Sequence, residues 1–351
     1  MTRFLSFLLS SIVLLISCSD PLLMYESTDE DGNVQVKYFP RIEAQIIHFE
    51  VSFSYEWQGE TKSYSDNGVL MLPENYPYKK EQTDLIFYCH SGGGSVGSNW
   101  SECESVAYNK YLVSKGYALL SMAAMPDSFA KKLQIDVNRT VGSDIALRCC
   151  EEGYSQILKE YTFSGKVYLL SNSNGGLLAS NLVHFTQIPF CAQCGIAPLI
   201  SIENNAWYIK NGNNSGGLFR RYQNRANIIS LYHMSSCFTQ EELDNARYEV
   251  NRVGDYDPYA YYVNHFDVVY PIPYYIFSCI DDDTVYYSIA SSFADTMNVR
   301  KKDQIIVDTT TSYGAHNVQA KPKVLGSFLF KGNEYPLNEV YVKIYEFFSS
   351  K

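Results

Sequence analysis

Ser173 lies in the stretch Ser171-Asn172-Ser173-Asn174-Gly175-Gly176 and is a candidate nucleophile. A serine hydroxyl attacks a carbonyl only when a neighbouring base removes its proton, and the base works best when a carboxylate fixes its tautomer. Before Ser173, residues 167–170 form an apolar run; after it, Leu177, Leu178, Leu182 and Phe185 fall on one helical face. Strand, tight turn and helix together lift a serine Oγ clear of a sheet. Small residues are needed two before and two after the serine because the strand and helix backbones nearly touch. The usual pattern is Gly-x-Ser-x-Gly, and Ser171 stands here in place of the first glycine.

The base and the acid must come from further along the chain. Of six histidines, His48 lies in an early strand, His90 at a glycine loop, His184 on the helix after the turn, and His233 and His265 in or after an irregular stretch. Only His316, in Tyr313-Gly314-Ala315-His316-Asn317, sits in a glycine-containing loop after the last expected strand, which makes it the candidate base. For the acid, Asp282 in Asp281-Asp282-Asp283-Thr284-Val285 is the choice, with Asp281 and Asp283 read as solvated or helix-capping residues. Acyl transfer also needs N–H donors aimed at the developing oxyanion. His90-Ser91-Gly92-Gly93-Gly94 supplies candidates in Ser91, Gly92 and Gly93, joined by the N–H of Asn174. These glycines do not read as a phosphate cradle, because no Gly-Lys-Ser/Thr follows them.

Stepping outward, the strands that position these residues are expected at 42–57, 67–73, 84–90, 117–122, 167–170, 190–199, 273–280 and 304–308. Helices are expected near 103–115, 143–161, after Ser173, 286–299 and 337–348. Apolar strands alternating with helices imply an α/β domain with a mostly parallel, roughly eight-stranded sheet covered on both faces, its first two strands antiparallel. Residues 201–255 break the rhythm and are rich in Asn and Gly. They read as a lid insertion after the sixth strand.

Hydrophobic residues make up 46% and charged residues 19%, enough for a large core; a net charge of -10 argues against nucleic acid as a partner. Thirty tyrosines are either core and surface residues or a stacking surface for sugars. Of nine cysteines eight remain beside Cys18, an even number that permits disulfides, and Cys191-Ala-Gln-Cys194 reads as buried thiols or a structural disulfide rather than zinc ligands. No metal or cofactor is expected, and oligomeric state is not readable.

Residues 1–17 have the single positive charge, short apolar run and small terminal residue of a secretory signal peptide. Leu15-Ile16-Ser17-Cys18 resembles the bacterial lipobox, which implies lipid attachment at Cys18, a polar tether over 18–36, and a place in the cell envelope. A serine rather than an aspartate after Cys18 favours the outer membrane.

From about Ile46 onward the chain resembles the α/β-hydrolase superfamily. Ser173-Asn174-Gly175-Gly176-Leu177-Leu178 is similar to the elbow of the prolyl oligopeptidase family, and Asp282-Asp283-Thr284-Val285 to that family's acid loop. The resemblance implies an α/β-hydrolase domain over 37–351 with Ser173 as nucleophile, Asp282 as acid and His316 as base. His90-Ser91-Gly92-Gly93-Gly94 resembles the HGGG loop that supplies oxyanion donors. The propeller that gates such peptidases would fall before the third strand, where this sequence has only a short stretch. The expected activity is therefore that of an exported carboxylic-ester hydrolase, of acetyl or feruloyl type, acting on a small-molecule or polysaccharide ester. A serine peptidase and a non-catalytic surface binding protein on the same scaffold are the alternatives.

Overall fold

The computed structural model describes residues 22–28, 34–92, 94–133, 142–201, 256–282, 285–309, 316 and 323–351. Two short strands, β1 (Leu22–Thr28) and β2 (Val34–Pro40), form an antiparallel hairpin in the stretch expected as a tether. Alternation of Val34, Val36 and Tyr38 with polar Gln35 and Lys37 is the strand signal that a composition reading passes over.

Eight strands form the main sheet: β3 (Gln45–Trp57), β4 (Glu60–Leu72), β5 (Leu85–Cys89), β6 (Ala118–Met122), β7 (Val167–Asn172), β8 (Phe190–Ile196), β9 (Tyr274–Ser278) and β10 (Ile305–Thr309). Their spatial order is β10-β9-β8-β7-β5-β6-β4-β3. Pairing is parallel from β10 through β6 and antiparallel at β6-β4 and β4-β3, as expected. β4 begins seven residues before the expected start at Asn67, because Gln58 (φ 53°) and Gly59 (φ 78°) make a two-residue turn that zips Trp57 against Glu60.

Strict alternation explains why both faces are covered. In β5, Leu85, Phe87 and Cys89 face one core while Ile86 and Tyr88 face the other; in β7, Val167 and Leu169 oppose Tyr168 and Leu170. The first core is closed by helices α2 (Asp127–Leu133), α3 (Asp144–Glu160) and α4 (Gly175–Phe185). The second is closed by α1 (Ala107–Ser114) and α7 (Glu339–Ser349). A third cluster lies beneath α5 (Pro258–Asn264) and α6 (Tyr287–Arg300). Arg300 ties these two together, its guanidinium donating to the carbonyls of His265 at 3.0 Å and Val268 at 2.7 Å beyond the end of α5.

A second hairpin, β11 (Val324–Phe330) with β12 (Asn333–Asn338), was not expected. It turns through Lys331 (φ 49°) and Gly332 (φ 74°), a pair less telling than Asn-Gly. The lid expected at 201–255 lies, apart from Ser201, outside the described residues. So do Cys18, the signal segment and Cys237.

The tyrosines resolve the compositional ambiguity. Tyr88, Tyr108, Tyr168, Tyr262, Tyr270 and Tyr274 are fully buried, so much of the tyrosine excess is core. Cys191 and Cys194 are free thiols, as are the five other described cysteines, Cys89, Cys103, Cys149, Cys150 and Cys279. Burial pushes the Cys194 thiol well above its ordinary range.

Two features make testable claims on stability. Phe129 meets Tyr55, Trp57 and Tyr64 edge-on, at 5.8, 5.4 and 5.4 Å between ring centroids, and closes the outer half of the β3-β4 hairpin. Phe129→Ala is expected to cost about 3–5 kcal/mol in urea unfolding; a loss below about 1 kcal/mol would contradict this packing. Asp66, 2% exposed, accepts the N–H of Ala124 at 2.9 Å, and burial pushes its carboxyl up to about 7. Its folded-state value lies above its unfolded one, so the folded protein holds the proton where the unfolded chain has lost it. Stability is then lost as pH rises from about 4 to about 7. Unfolding at pH 5 and pH 7.5 should show wild type losing ground to Asp66→Asn; parallel behaviour of the two would refute this.

Candidate active site

β7 ends at Asn172, and the next residue, Ser173, takes φ 51°. A non-glycine residue there is strained by about 1–3 kcal/mol and persists only where its surroundings over-determine it. They do so here. The Ser173 N–H donates to the Ile196 carbonyl at 2.9 Å, and the Ser173 carbonyl accepts from Gly176 N–H at 2.9 Å and Leu199 N–H at 2.7 Å. The turn is thereby pinned to the end of β8 and the residues after it.

Glycines complete the geometry. A Cβ on Gly175 would fall 2.5 Å from the His90 carbonyl oxygen and closer still to that of Cys89. One on Gly176 would fall 2.5 Å from Pro198 Cβ and 2.8 Å from Leu199 N. The helix α4 can start only because both positions lack a side chain. Ser171, where glycine is usual, is fully buried, and its hydroxyl makes a long 3.4 Å contact to the Cys194 carbonyl. Its side chain is accommodated between β7 and β8.

Ser173 Oγ lies 2.8 Å from His316 Nε2. On the far side of the ring, His316 Nδ1 lies 3.0 Å from Asp282 Oδ2 and 3.2 Å from Oδ1. The Asp282 side chain is fully buried while the His316 side chain keeps 30% exposure. Asp282 reaches this position through the turn after β9, where its N–H donates to the Cys279 carbonyl at 3.2 Å. Its Oδ1 also accepts the Val285 N–H at 2.8 Å. A buried carboxylate with a backbone donor of its own presents a fixed face to the imidazole. The three expected residues therefore meet in one hydrogen-bonded chain, from the ends of β7 and β9 and from beyond β10. Asp281 points elsewhere, its Oδ1 accepting from the Cys279 thiol at 2.6 Å; Asp283 lies outside the described residues.

The other histidines are occupied differently. His48 faces the Gly97 carbonyl at 3.1 Å and Glu104 at 3.3 Å, and His90 is buried with its ring nitrogens 2.8 Å from the Ser91 carbonyl and 3.2 Å from that of Ala123. His184 packs on Tyr261, while His265 Nδ1 lies 2.8 Å from the Tyr261 carbonyl. His233 is outside the described residues.

The expected oxyanion donors divide. Gly92 sits against the turn, where a Cβ would lie 3.2 Å from Asn174 Cβ, so the loop after β5 and the residue after Ser173 are neighbours. Ser91 differs from expectation: its N–H is donated to Glu102 Oε1 at 3.0 Å, so this amide serves the loop and not an oxyanion. Gly93 lies outside the described residues. Glu102, on a one-turn helix (Glu102–Ser105), was missed by sequence reading. Ser101 and Glu104 form a capping box around it, which makes Glu102 look like an ordinary exposed first-turn acid. The available signal was Gly94, where any Cβ would collide with the Glu102 carboxylate. Beside this loop lies a cavity of about 230 Å³ lined by Ser95, Val96, Ala123 and the carboxylates of Glu50, Asp66 and Asp127; Ser173, Asp282 and His316 do not line it.

No protein-family model and no curated protein matches the chain. Among solved structures it is similar to the Pyrococcus horikoshii acylaminoacyl peptidase, with a TM-score of 0.54 and 13% identity over 85% of this chain and 44% of that one. It is also similar to the rice cell wall degrading esterase LipA from Xanthomonas oryzae, with a TM-score of 0.50 and 14% identity over 79% of this chain and 86% of that one. The chain thus spans less than half the length of the peptidase and most of the length of the esterase. It has the α/β-hydrolase fold.

The tight approach at Gly175 generates a direct test. Gly175→Ala should destabilise the protein by about 1–3 kcal/mol in urea unfolding, since the carbonyls it would strike are backbone and cannot rotate away. An unchanged midpoint would refute the close packing of α4 on the end of β5.

Proposed function

We propose that the protein is a serine hydrolase that cleaves carboxylic esters, with Ser173 as nucleophile, His316 as general base and acid, and Asp282 as the residue that orients the imidazole. The observation that carries this reading is the unbroken chain from Ser173 Oγ through both ring nitrogens of His316 to the buried Asp282 carboxylate. Ser173 Oγ attacks the ester carbonyl carbon as its proton passes to His316 Nε2. The imidazolium so formed is steadied at Nδ1–H by Asp282. Negative charge then gathers on the former carbonyl oxygen, next to the amides of Gly92 and Asn174. Collapse of the tetrahedral intermediate expels the alkoxide, which takes the proton back from Nε2. Water, deprotonated by the same nitrogen, releases the acid and restores Ser173.

The ester preference rests on the extent of the likeness: the match covers 86% of the esterase LipA and 44% of the peptidase. The lipobox-like Leu15-Ile16-Ser17-Cys18 supports export and anchoring through Cys18 at the cell envelope, where acylated carbohydrate is the substrate class we favour. Fold likeness by itself does not choose between ester and amide, since a peptidase and an esterase are both neighbours. A serine peptidase is the second reading, favoured by the likeness of the Ser173 and Asp282 motifs to the prolyl oligopeptidase family.

Hydrolysis of p-nitrophenyl acetate, methyl ferulate, acetylated xylan and aminoacyl-p-nitroanilides, beside fluorophosphonate labelling, tests both. Ester turnover should predominate, Ser173→Ala should abolish labelling, and Asp282→Asn should lower kcat on the order of 10⁴-fold. Preferential anilide cleavage would establish the peptidase instead. Labelling or turnover that survives Ser173→Ala would overturn the nucleophile, and a wild type that never labels would make this a binding protein.

A further inference from the structure

A buried acid with no part in the proton relay lies just beneath the loop after β5. Glu102 is 8% exposed, and three donors converge on it. Oε1 accepts from the Tyr88 hydroxyl at 2.6 Å and from the Ser91 N–H at 3.0 Å; Oε2 accepts from Ser91 Oγ at 2.6 Å. The Tyr88 hydroxyl, donating its hydrogen bond to Glu102, is left to accept from the Tyr108 hydroxyl 2.8 Å away. Both tyrosines are fully buried, so the carboxylate is backed by core that cannot yield. Burial of an acid is tolerated only when its lone pairs are met in this way.

What the carboxylate holds is a single residue gripped at two points. Ser91 is bound through its backbone N–H and through its side chain, one oxygen of Glu102 to each. Gly92 follows immediately and packs on Asn174 at the start of the Ser173 turn. Gly94, two residues on, can carry no side chain because Glu102 fills the space. A peptide plane whose preceding residue is clamped at both N–H and Oγ has little freedom to rotate.

We propose that Glu102 is a positioning residue for oxyanion stabilisation: by clamping Ser91 at N–H and Oγ, it sets the orientation of the Gly92 amide toward the oxygen of the carbonyl group whose carbon Ser173 attacks. The inference rests on the reading of Ser173 as nucleophile. It gives the serine at position 91 a purpose, since glycine there would leave Glu102 Oε2 without its partner and the loop with one attachment instead of two. Glu102 touches no reacting atom and acts through Ser91 alone.

The test uses two variants and a probe that needs no knowledge of the natural substrate. Glu102→Gln keeps the shape of the side chain but sets an amide NH₂ against the donors of Ser91. Ser91→Ala leaves Glu102 in place and removes the Oγ attachment. The rate constant for labelling of Ser173 by a fluorophosphonate, a probe whose phosphoryl oxygen occupies the oxyanion site, is measured beside kcat and KM for p-nitrophenyl acetate. Glu102→Gln is expected to slow labelling and kcat together by roughly 10- to 100-fold, with KM unchanged, and Ser91→Ala by a smaller factor in the same direction. Their double variant should be no slower than Glu102→Gln, because both act through one clamp.

If Glu102→Gln fails to fold, the labelling rate of Ser91→Ala decides alone. Labelling that stays at the wild-type rate in Ser91→Ala and in any folded Glu102→Gln would overturn the positioning role while leaving the nucleophile standing. A rise in KM with kcat unchanged would do the same. Labelling at a residue other than Ser173 would overturn both readings.

Discussion

The backbone of Gly175 presses on the carbonyls of Cys89 and His90, and much of the site follows from that contact. It sets the start of α4 against the end of β5, and between β7 and α4 the chain turns through just Ser173, which is left-handed, and Asn174. Strain in one residue needs restraint from several, and it comes from Ile196, Leu199 and Gly176. These restraints belong to β8, the residues just after it and α4, so the turn is fixed only when the parallel centre of the sheet is in place. The same closeness brings the loop after β5 beside Asn174, which is why Gly92 and the Ser173 turn need no long segment to join them.

Most of this architecture could be read from the residues. The central strands are uninterrupted apolar runs because both of their faces are buried, and such runs are short, bounded and hard to mistake. That Ser173, Asp282 and His316 would meet was legible because each follows its own strand in chain order. Less legible was anything set by a partner across space. β4 extends to Glu60 only because β3 lies opposite it, and its polar half, Thr61 to Asp66, carries no strong signal alone. β11 and β12 turn through Lys331-Gly332, which resembles many loops. Ser91 looked like a donor because its backbone was judged without Glu102, and Glu102 looked like a solvated acid because its one-turn helix hides which way it faces. Propensity describes a residue; these roles belong to pairs.

The tyrosines teach a related lesson about composition. A phenol buried in a core brings a hydroxyl that must find a partner. Tyr55 and Tyr256 both donate to Asp144, at 3.0 and 3.2 Å, Tyr270 donates to Gln193, and Tyr88 to Glu102. Each such bond fixes an orientation that a leucine core would leave free. The abundance that might have signalled sugar stacking on the surface is, in the described residues, largely a set of aromatic struts with polar ends.

The span of the hydrogen-bonded chain has a consequence in time. Ser173 and His316 are separated by 143 residues, whereas β3 and β4 are joined by a two-residue turn and can pair as soon as both are available. Closing a long loop is only mildly costly at equilibrium, since each doubling of length adds about 0.6 kcal/mol, but distant contacts form slowly. The hairpin can therefore zip early, and the relay can be complete only after β9 and β10 have docked and delivered Asp282 and His316. The folding chain passes through that interval with a formed sheet edge and Ser173 still without His316 beside it, so the two side chains meet only when the rest of the sheet is nearly complete.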